Sequence, residues 1–270
     1  MFLLARRLNR RMSGRTVRRS QFRVPQHATA DLSGAEVLGT STIGKHLLTR
    51  FRHPRDGELT LHTHLRMDGS WTVLGPGKRL PRNREPDVRV QLDLDDGSTA
   101  IGLSLPVIEL VRTADEHDLV GHLGPDPLRK SFDRAEAIRR LGADPERPVI
   151  AALLDQTRMA GLGNLWVNEL CFLRGVWPWT PAGSADLPAM VDLAVRLLRF
   201  SVSPQGAPQV TTGDTRPGQT HWVAGRAGEK CRRCGTVIEV VAEVPGDPER
   251  RRTWWCPHCQ PAPAGMSGRP

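Results

Sequence analysis

The chain has 270 residues, 26 of them glycine, and 39% are hydrophobic; this is the composition of a globular protein and excludes a disordered or collagen-like chain. No apolar run approaches the roughly 18 residues that a membrane-spanning helix needs, which excludes an integral membrane protein. Lysine and arginine number 38 against 29 acidic residues, and the net charge is +9. The excess favours a polyanionic partner such as nucleic acid, although solubility alone also accounts for it.

Nearly all of the positive charge is carried by arginine. The planar guanidinium pairs with phosphate through two parallel hydrogen bonds, which suits a DNA-binding face. A composition rich in arginine, alanine, glycine and proline and without tyrosine is also typical of a GC-rich genome. Both interpretations stay open.

The first half of the sequence predicts one helix followed by strands. Residues 2–12 place apolar side chains on one face and arginines on the other, which is typical of an amphipathic helix. In residues 88–94 apolar and polar side chains alternate strictly, and Asp96-Gly97 predicts a tight turn into a second strand.

A second hairpin is predicted around Asp68-Gly69, between strand-like segments at 62–67 and 70–74. Residues 75–86, rich in proline, glycine and arginine, are predicted to form a loop. These signals together predict an antiparallel β-sandwich fronted by one helix, occupying residues 1–120.

The second half predicts helices and a small C-terminal module. Helical periodicity covers residues 132–141, 149–156, 165–174 and 187–201. The helical domain is expected to span residues 121–215, the module 222–260 and a disordered tail 261–270. The fold class predicted is therefore α+β with two domains.

The cysteines point to a metal site and a reducing compartment. Cys231, Cys234, Cys256 and Cys259 form two C-x₂-C pairs that supply four ligands for one structural zinc ion, with a redox dithiol as the alternative. The fifth, Cys171, is predicted to be a small core residue. Clustered cysteines without an apolar signal segment favour the cytoplasm, although the arginine-rich start superficially resembles a transit peptide.

A glycine-containing turn precedes the third predicted helix, at residues 160–164. Glycines there let the backbone turn tightly and leave the first helical amides facing outward, which is an anion site. Asn164 is expected either to cap this helix or to donate to a phosphate. A tight interhelical turn needs glycines in any case.

Here the sequence resembles the formamidopyrimidine-DNA glycosylase/endonuclease VIII family. The resemblance covers roughly residues 2–260 and rests on four features in the family's order: residues 43–48 (IGKHLL), 64–69 (HLRMDG), 160–164 (AGLGN) and the four-cysteine finger. Residues 211–216 (TTGDTR) are similar to the actinobacterial endonuclease VIII-like branch.

The resemblance implies a β-sandwich fronted by a helix, then a helix-two-turn-helix domain carrying a zinc finger, with damaged double-stranded DNA between them. It implies a monomeric, nucleoid-associated enzyme that flips a damaged base out of the duplex, cuts its glycosidic bond and breaks the strand by elimination. Met67 is implied to fill the space left by the base. The alternative is a Met67 packed beneath its own hairpin.

Four further residues are assigned roles by the resemblance. Lys45 is implied to hold the phosphate near the lesion, with an exposed lysine serving solubility as the alternative. Asn164 and Arg251 are implied to grip flanking phosphates. Glu169 falls where the family has a carboxylate near the active site, and the resemblance implies that it and Lys45 are catalytic residues. The alternative for Glu169 is a first-turn glutamate that interacts with the helix dipole.

The sequence departs from the family in three places. Ile43 stands where arginine is usual, and residues 100–104 lack the Arg-Arg-Phe-Gly stretch of the 8-oxoguanine branch, which favours oxidised pyrimidines as substrates. The family's nucleophile is an N-terminal proline followed by glutamate, whereas here the first proline is Pro25 and the first acidic residue Asp31.

Two explanations of the third departure are open. In one, the start is misassigned and upstream codons encode a Pro-Glu opening. In the other, the protein is a damaged-DNA-binding variant without normal lyase chemistry, in which the Met1 amine or Lys45 could form an imine only in principle. The enzyme is the leading expectation; a catalytically inactive binding protein and a generic zinc-ribbon module are the alternatives.

Overall fold

A computed structural model of the protein describes residues 1–242 and 251–263. The chain divides into two compact units, Met1–His122 and Leu123–Pro270. The first unit contains α1 (Phe2–Met12), β1 (Val17–Phe22), β2 (Glu36–Ile43), β3 (His46–His53), β4 (Gly57–His64), β5 (Ser70–Leu74), β6 (Val88–Leu94), β7 (Thr99–Leu103), β8 (Val107–Arg112) and α2 (Glu116–Val120). The second contains α3 (Arg134–Leu141), α4 (Val149–Leu154), α5 (Asn164–Arg174), α6 (Leu187–Ser201), β9 (Glu239–Val241) and β10 (Thr253–Trp255).

The domain boundaries given above stay predictions, and most of the expected tail, from residue 264 onward, lies outside the described residues. Among the residues that are described, none of the helices has the length and apolar character required to cross a bilayer.

The first unit is a sandwich of two antiparallel sheets fronted by α1, as predicted. One sheet has the strand order β1-β6-β7-β5 and the other β2-β3-β4-β8. Apolar side chains of both sheets form one buried cluster, to which α1 adds Ala5, Leu8 and Met12. The predicted turn between β6 and β7 is present, with Gly97 at a φ of 80°. Burial of one helix face and one face of each sheet supplies the driving force for this fold.

The predicted hairpin around Asp68-Gly69 is wrong. Strand β4 ends at His64 and pairs with β3 and β8, whereas β5 pairs with β7 in the other sheet. The buried Trp71 of β5 donates from its indole nitrogen to the Thr63 hydroxyl of β4 (3.2 Å), across the two layers. An Asp-Gly pair predicts a turn, but long-range burial decides whether the next strand joins the same sheet.

Two further features of the first unit were not predicted. The loop at 75–86 contains a short 3₁₀ helix, Arg82–Asp87. Helix α2, with five residues, is too short to show a periodicity. It is held by Glu116, which accepts hydrogen bonds from Arg50 (2.6 Å) and from the buried Thr60 hydroxyl (3.1 Å). These contacts attach the start of α2 to β3 and β4.

All four predicted helices of the second unit are present, with three boundaries moved by one or two residues. Helix α3 begins at Arg134 because the Asp133 carboxylate caps it by accepting from the Glu136 amide (2.9 Å). Helix α4 ends at Leu154, since Asp155 has extended backbone. Helix α4 is buried along its whole length and packs with α5 and the apolar stripe of α6, so these helices form the core of the unit.

The C-terminal module contains a two-stranded sheet, β9 and β10, next to α5. Strand β10 pairs antiparallel with β9, with Thr253 opposite Val241. A small cluster that includes Phe172 of α5 and two of the cysteines joins the module to the helices. The Trp179 ring packs edge-on against Trp255 of β10, with centroids 4.9 Å apart. The module therefore shares its small core with the helical part of the unit.

Candidate functional site

Four cysteine thiols converge in the C-terminal module. The sulfur atoms of Cys231, Cys234, Cys256 and Cys259 all lie within 4.8 Å of one another, and none is in a disulfide. The Sγ–Sγ distance is 3.4 Å for Cys234–Cys256 and 4.0 Å for Cys231–Cys259. Tetrahedral thiolates about 2.3 Å from a zinc ion are roughly 3.8 Å apart. The spacing thus fits a metal ion held by four protein ligands.

The chemistry of these thiols also favours a cation. Desolvation and the neighbouring thiols raise the pKa of Cys259, and desolvation raises that of Cys256, whereas a hydrogen bond with Thr236 lowers the pKa of Cys234 to about 6. A bound cation would offset the cost of ionising the two thiols whose pKa is raised. The amides of Arg233 and Cys259 point at the sulfur atoms of Cys231 (3.4 Å) and Cys256 (3.5 Å), which favours the thiolate form.

Helix α5 begins after the predicted glycine-containing turn. Gly161 has a φ of 95°, and Gly163 is the N-cap residue. The Gln156 side chain holds the turn by donating to the Leu162 carbonyl (2.9 Å) and accepting from the Gly161 amide (3.0 Å). Asn164 is the first helical residue and makes no capping hydrogen bond, so the capping interpretation of Asn164 is wrong.

Two asparagines one turn apart on α5 contact strand β10 and the residue before it. Asn164 donates from Nδ2 to the Arg252 carbonyl (2.9 Å), and the Trp254 amide donates to Oδ1 of Asn168 (2.8 Å). The fully buried Asn168 donates to both the backbone carbonyl (2.7 Å) and Oδ1 (3.1 Å) of Asn164. Arg251, which is half-buried, directly precedes Arg252. The fold therefore brings Asn164 to the backbone next to Arg251.

Glu169 is buried and anchors a neighbouring segment. Its carboxylate accepts from the amides of Trp222 (2.9 Å), Val223 (2.8 Å) and Ala224 (2.9 Å) and from the Thr211 hydroxyl. These donors lie at both ends of residues 211–224, so one carboxylate closes that loop. The first-turn interpretation is wrong, because no acidic residue lies in the first turn of α5.

Two arginines lie between Cys231 and Cys234, and they contact the 211–224 loop and helix α5. Arg232 donates to the carbonyls of His221 (3.1 Å) and Gly218 (2.5 Å) and to the Gln219 side chain. The Arg233 guanidinium lies 4.4 Å from the centroid of an aromatic ring on α5. The loop is thereby attached to the cysteine module as well as to α5.

Met67 lies on the connection between β4 and β5 and is 94% exposed. Arg66 before it has a φ of 46°, and the Gly69 amide donates to the Leu65 carbonyl (2.8 Å). A Cβ atom at position 69 would lie 2.6 Å from that carbonyl oxygen, so this tight turn requires glycine. The turn thus keeps the Met67 side chain exposed to solvent, and its alternative placement beneath a hairpin is wrong.

Lys45 lies in the turn between β2 and β3, half-buried, beside a group of histidines. The His46 and His62 rings stack with centroids 5.0 Å apart and share a 2.8 Å Nδ1–Nε2 hydrogen bond. The rings of His64 and His122 lie 5.0 and 6.2 Å from that of His46. Burial and neighbouring histidines lower the pKa of His46 and of His62 to about 4, so both rings are neutral at pH 7.

Neither this histidine group nor the network around Glu169 was predicted from the sequence. The spacing of His62 and His64 by two residues in a strand places them on one face of β4, and this could have been predicted from the sequence. The position of His46 opposite His64 could not have been predicted, because it depends on the register of β3 against β4. Of the predicted residues, the first unit holds Lys45 and Met67, and the second holds Asn164, Glu169, Arg251 and the four cysteines.

Comparison with known proteins agrees with this architecture. The family described as formamidopyrimidine-DNA glycosylase N-terminal domain matches residues 2–102, and the formamidopyrimidine-DNA glycosylase H2TH domain matches residues 123–206. A "Probable endonuclease 8 2" of Streptomyces coelicolor is 46% identical over 98% of this chain and 93% of its own. The "DNA-(apurinic or apyrimidinic site) lyase Nei2" of Mycolicibacterium smegmatis is 40% identical over 97% of each chain.

Solved structures give the same result. The Lactococcus lactis Fpg protein in a complex with abasic-site DNA has a TM-score of 0.75 at 25% identity, covering 96% of this chain and 97% of its own. A MutM complex with DNA containing carbocyclic 8-oxo-G has a TM-score of 0.74, with the same identity and coverage. Sequence identity over nearly the whole length, joined to a shared fold, establishes that the chain belongs to the formamidopyrimidine-DNA glycosylase/endonuclease VIII family.

Proposed function

We propose that the protein is a base-excision-repair DNA glycosylase with abasic-site lyase activity on damaged double-stranded DNA. The observation that carries this proposal is the relationship over nearly the full chain to proteins named endonuclease 8 and DNA-(apurinic or apyrimidinic site) lyase. Oxidised pyrimidines are the proposed substrate class, supported by those names and by the absence of an Arg-Arg-Phe-Gly stretch at residues 100–104.

The reaction releases the base, opens the sugar ring and then cuts the strand. An amine attacks C1′ of the damaged nucleotide, and the base leaves with the electrons of the glycosidic bond and gains a proton. The C1′–O4′ bond then breaks, O4′ takes up a proton, and a protonated imine remains at C1′. Loss of a proton from C2′ then expels the 3′ phosphate and cuts the strand. The residues of the chain are needed to extrude the base, hold the phosphates and move these protons.

In the first unit, Met67 is proposed to enter the duplex and occupy the position of the extruded base. Its exposure and the tight turn beneath it support this role, because transfer of an exposed apolar side chain from water into a base stack is favourable. Lys45 is proposed to bind the phosphate beside the lesion. The neutral His46 next to it adds no charge that would compete with the lysine for the phosphate.

In the second unit, Asn164 and Arg251 are proposed to bind flanking phosphates. Asn164 lies at the start of α5, where helical amides add a positive partial charge. Glu169 was predicted to be catalytic; its burial among four donors favours a positioning role for the segment 211–224.

The four cysteines are proposed to hold one structural zinc ion, which supplies folding free energy to the module and no chemistry. We propose further that the protein acts as a monomer in the cytoplasm of a bacterium, at its nucleoid. Size-exclusion chromatography with light scattering at micromolar concentration tests the oligomeric state.

The activity test uses a labelled duplex with one oxidised pyrimidine and the same duplex undamaged. Base release, strand cleavage and a borohydride-trapped protein–DNA adduct are measured together. Lys45→Ala should lower both activities, whereas Lys78→Ala, at an exposed lysine, should not. Preferential binding without base release would instead indicate the catalytically inactive damage-binding alternative. Equal affinity for both duplexes and no reaction would exclude both functions.

A further inference from the structure

The contact between α5 and residues 252–254 is possible because one turn of a helix is about as long as two residues of a strand. Four residues of a helix rise about 6 Å, and two residues of a strand about 6.7 Å. Side chains at i and i+4 on α5 can therefore reach backbone groups two residues apart. Asn164 binds the Arg252 carbonyl and Asn168 the Trp254 amide in this way. Strand β9 pairs with β10 on its other side.

Asn168 also determines which way the Asn164 amide faces. Its Nδ2 needs acceptors and finds both the carbonyl and Oδ1 of Asn164, at 2.7 and 3.1 Å. The Asn164 oxygen is thus turned toward Asn168, and its nitrogen toward the Arg252 carbonyl. An amide nitrogen has two N–H groups, so one is left for a ligand. A reversed amide would place two oxygens against each other at Arg252.

The burial of Asn168 makes this arrangement costly to lose. The residue has no exposed surface, and an unsatisfied buried amide costs roughly 1–3 kcal/mol. Its oxygen and nitrogen each have a partner on a different element, β10 and the start of α5. The hydrogen bonds of the buried Asn168 amide are therefore satisfied only while β10 and the start of α5 keep their positions.

We propose that Asn168 is a positioning residue that holds the Asn164 amide with an N–H group turned outward to a DNA phosphate, and that couples this donor to the backbone adjoining Arg251. The inference rests on the proposed function, in particular on the phosphate contact by Asn164. It adds a residue that acts through Asn164 without touching DNA.

A double-mutant cycle tests the coupling. Affinity for a short duplex with a stable abasic-site analogue is measured for Asn164→Ala, Asn168→Leu and the double variant, with Cys171→Ala as a buried α5 control outside the network. We expect affinity to fall about tenfold in each single variant, and the double variant to bind no more weakly than Asn164→Ala. Cys171→Ala should bind as the unchanged protein does.

A measurement without DNA accompanies the cycle. In the zinc-loaded protein, the Nδ2 protons of Asn164 should give two distinct, slowly exchanging resonances that merge or broaden in Asn168→Leu. If that variant does not fold, Asn168→Ala, which leaves room for water, is used for both measurements. Losses that multiply in the double variant, or unchanged affinity and resonances in the Asn168 variant, would overturn the proposal. Unchanged affinity in Asn164→Ala would instead contradict the phosphate contact of the proposed function.

Discussion

Among single residues, Met67 combines a large apolar side chain with 94% exposure. For Met67→Ala we expect kcat/KM on a damaged duplex to fall about tenfold, because filling the space left by the base offsets part of a flipping cost of a few kcal/mol. Its melting temperature should not change, since the side chain makes no buried contact. Phe200→Ala, at another exposed apolar residue (53%), is the control. A lowered melting temperature of Met67→Ala together with its lowered activity would contradict the proposed role, because the loss of activity would then follow from loss of stability.

The neutral histidine pair predicts a pH dependence of stability. Burial lowers the pKa of His62 from 6.5 to about 4. Between these values the unfolded chain binds protons that the folded protein excludes, so stability falls as pH decreases from 6.5 to 4. The loss for one such histidine is about 3 kcal/mol. The groups facing the pair are His64, His122, Lys45 and Glu116, and only Glu116 opposes the shift.

Urea unfolding of the protein and of His62→Asn at pH 4.5 to 7.5 measures this dependence. The variant should lose less stability on acidification, because one buried neutral ring is gone. His117→Asn, at an exposed histidine, serves as the control and should follow the unchanged protein. Parallel curves for all three proteins would show that His62 does not titrate as expected.

At the scale of elements, the loop of residues 211–224 is held by Glu169 at its ends and by Arg232 from the cysteine module. Glu169→Gln turns an amide group toward backbone donors, and we expect a loss of about 2–3 kcal/mol in unfolding free energy. Hydrogen exchange in the loop should increase, with activity falling as a consequence. Activity lost at unchanged stability and exchange would favour the catalytic assignment of Glu169.

The elements that could be read from the sequence are those with a local signal. Periodicity predicted α1 and the alternation of β6, and the spacing of Cys231 and Cys234 against the second pair predicted the cluster of four cysteines. The pairing of β5 with β7 and not with β4, the four donors to Glu169 and the stacking of His46 on His62 depend on contacts between residues far apart in the chain. Such contacts are set by burial and register, which a single sequence does not reveal.

For the whole molecule, removal of metal should affect the two units unequally. A chelator is expected to release one zinc ion per chain, unfold residues 222–260 and abolish DNA binding. The sandwich should remain folded, because its core consists of first-unit residues alone. Elemental analysis and hydrogen exchange check this, with Cys256→Ser as a metal-free variant. Cys171→Ala should keep its zinc, since burial raises the pKa of that thiol to about 12. Zinc retained by Cys256→Ser would contradict the assignment.

The distribution of tryptophan makes the second unit spectroscopically distinct. Of seven tryptophans six belong to this unit, Trp71 alone lies in the first, and the chain has no tyrosine. Trp179 packs on Trp255, and Trp222 stacks on Phe172 beside the cysteine module. Intrinsic fluorescence of the intact, unlabelled protein therefore reports almost entirely on the half that contains the helices α3–α6 and the four-cysteine module, and Trp71 contributes the small remainder from the sandwich.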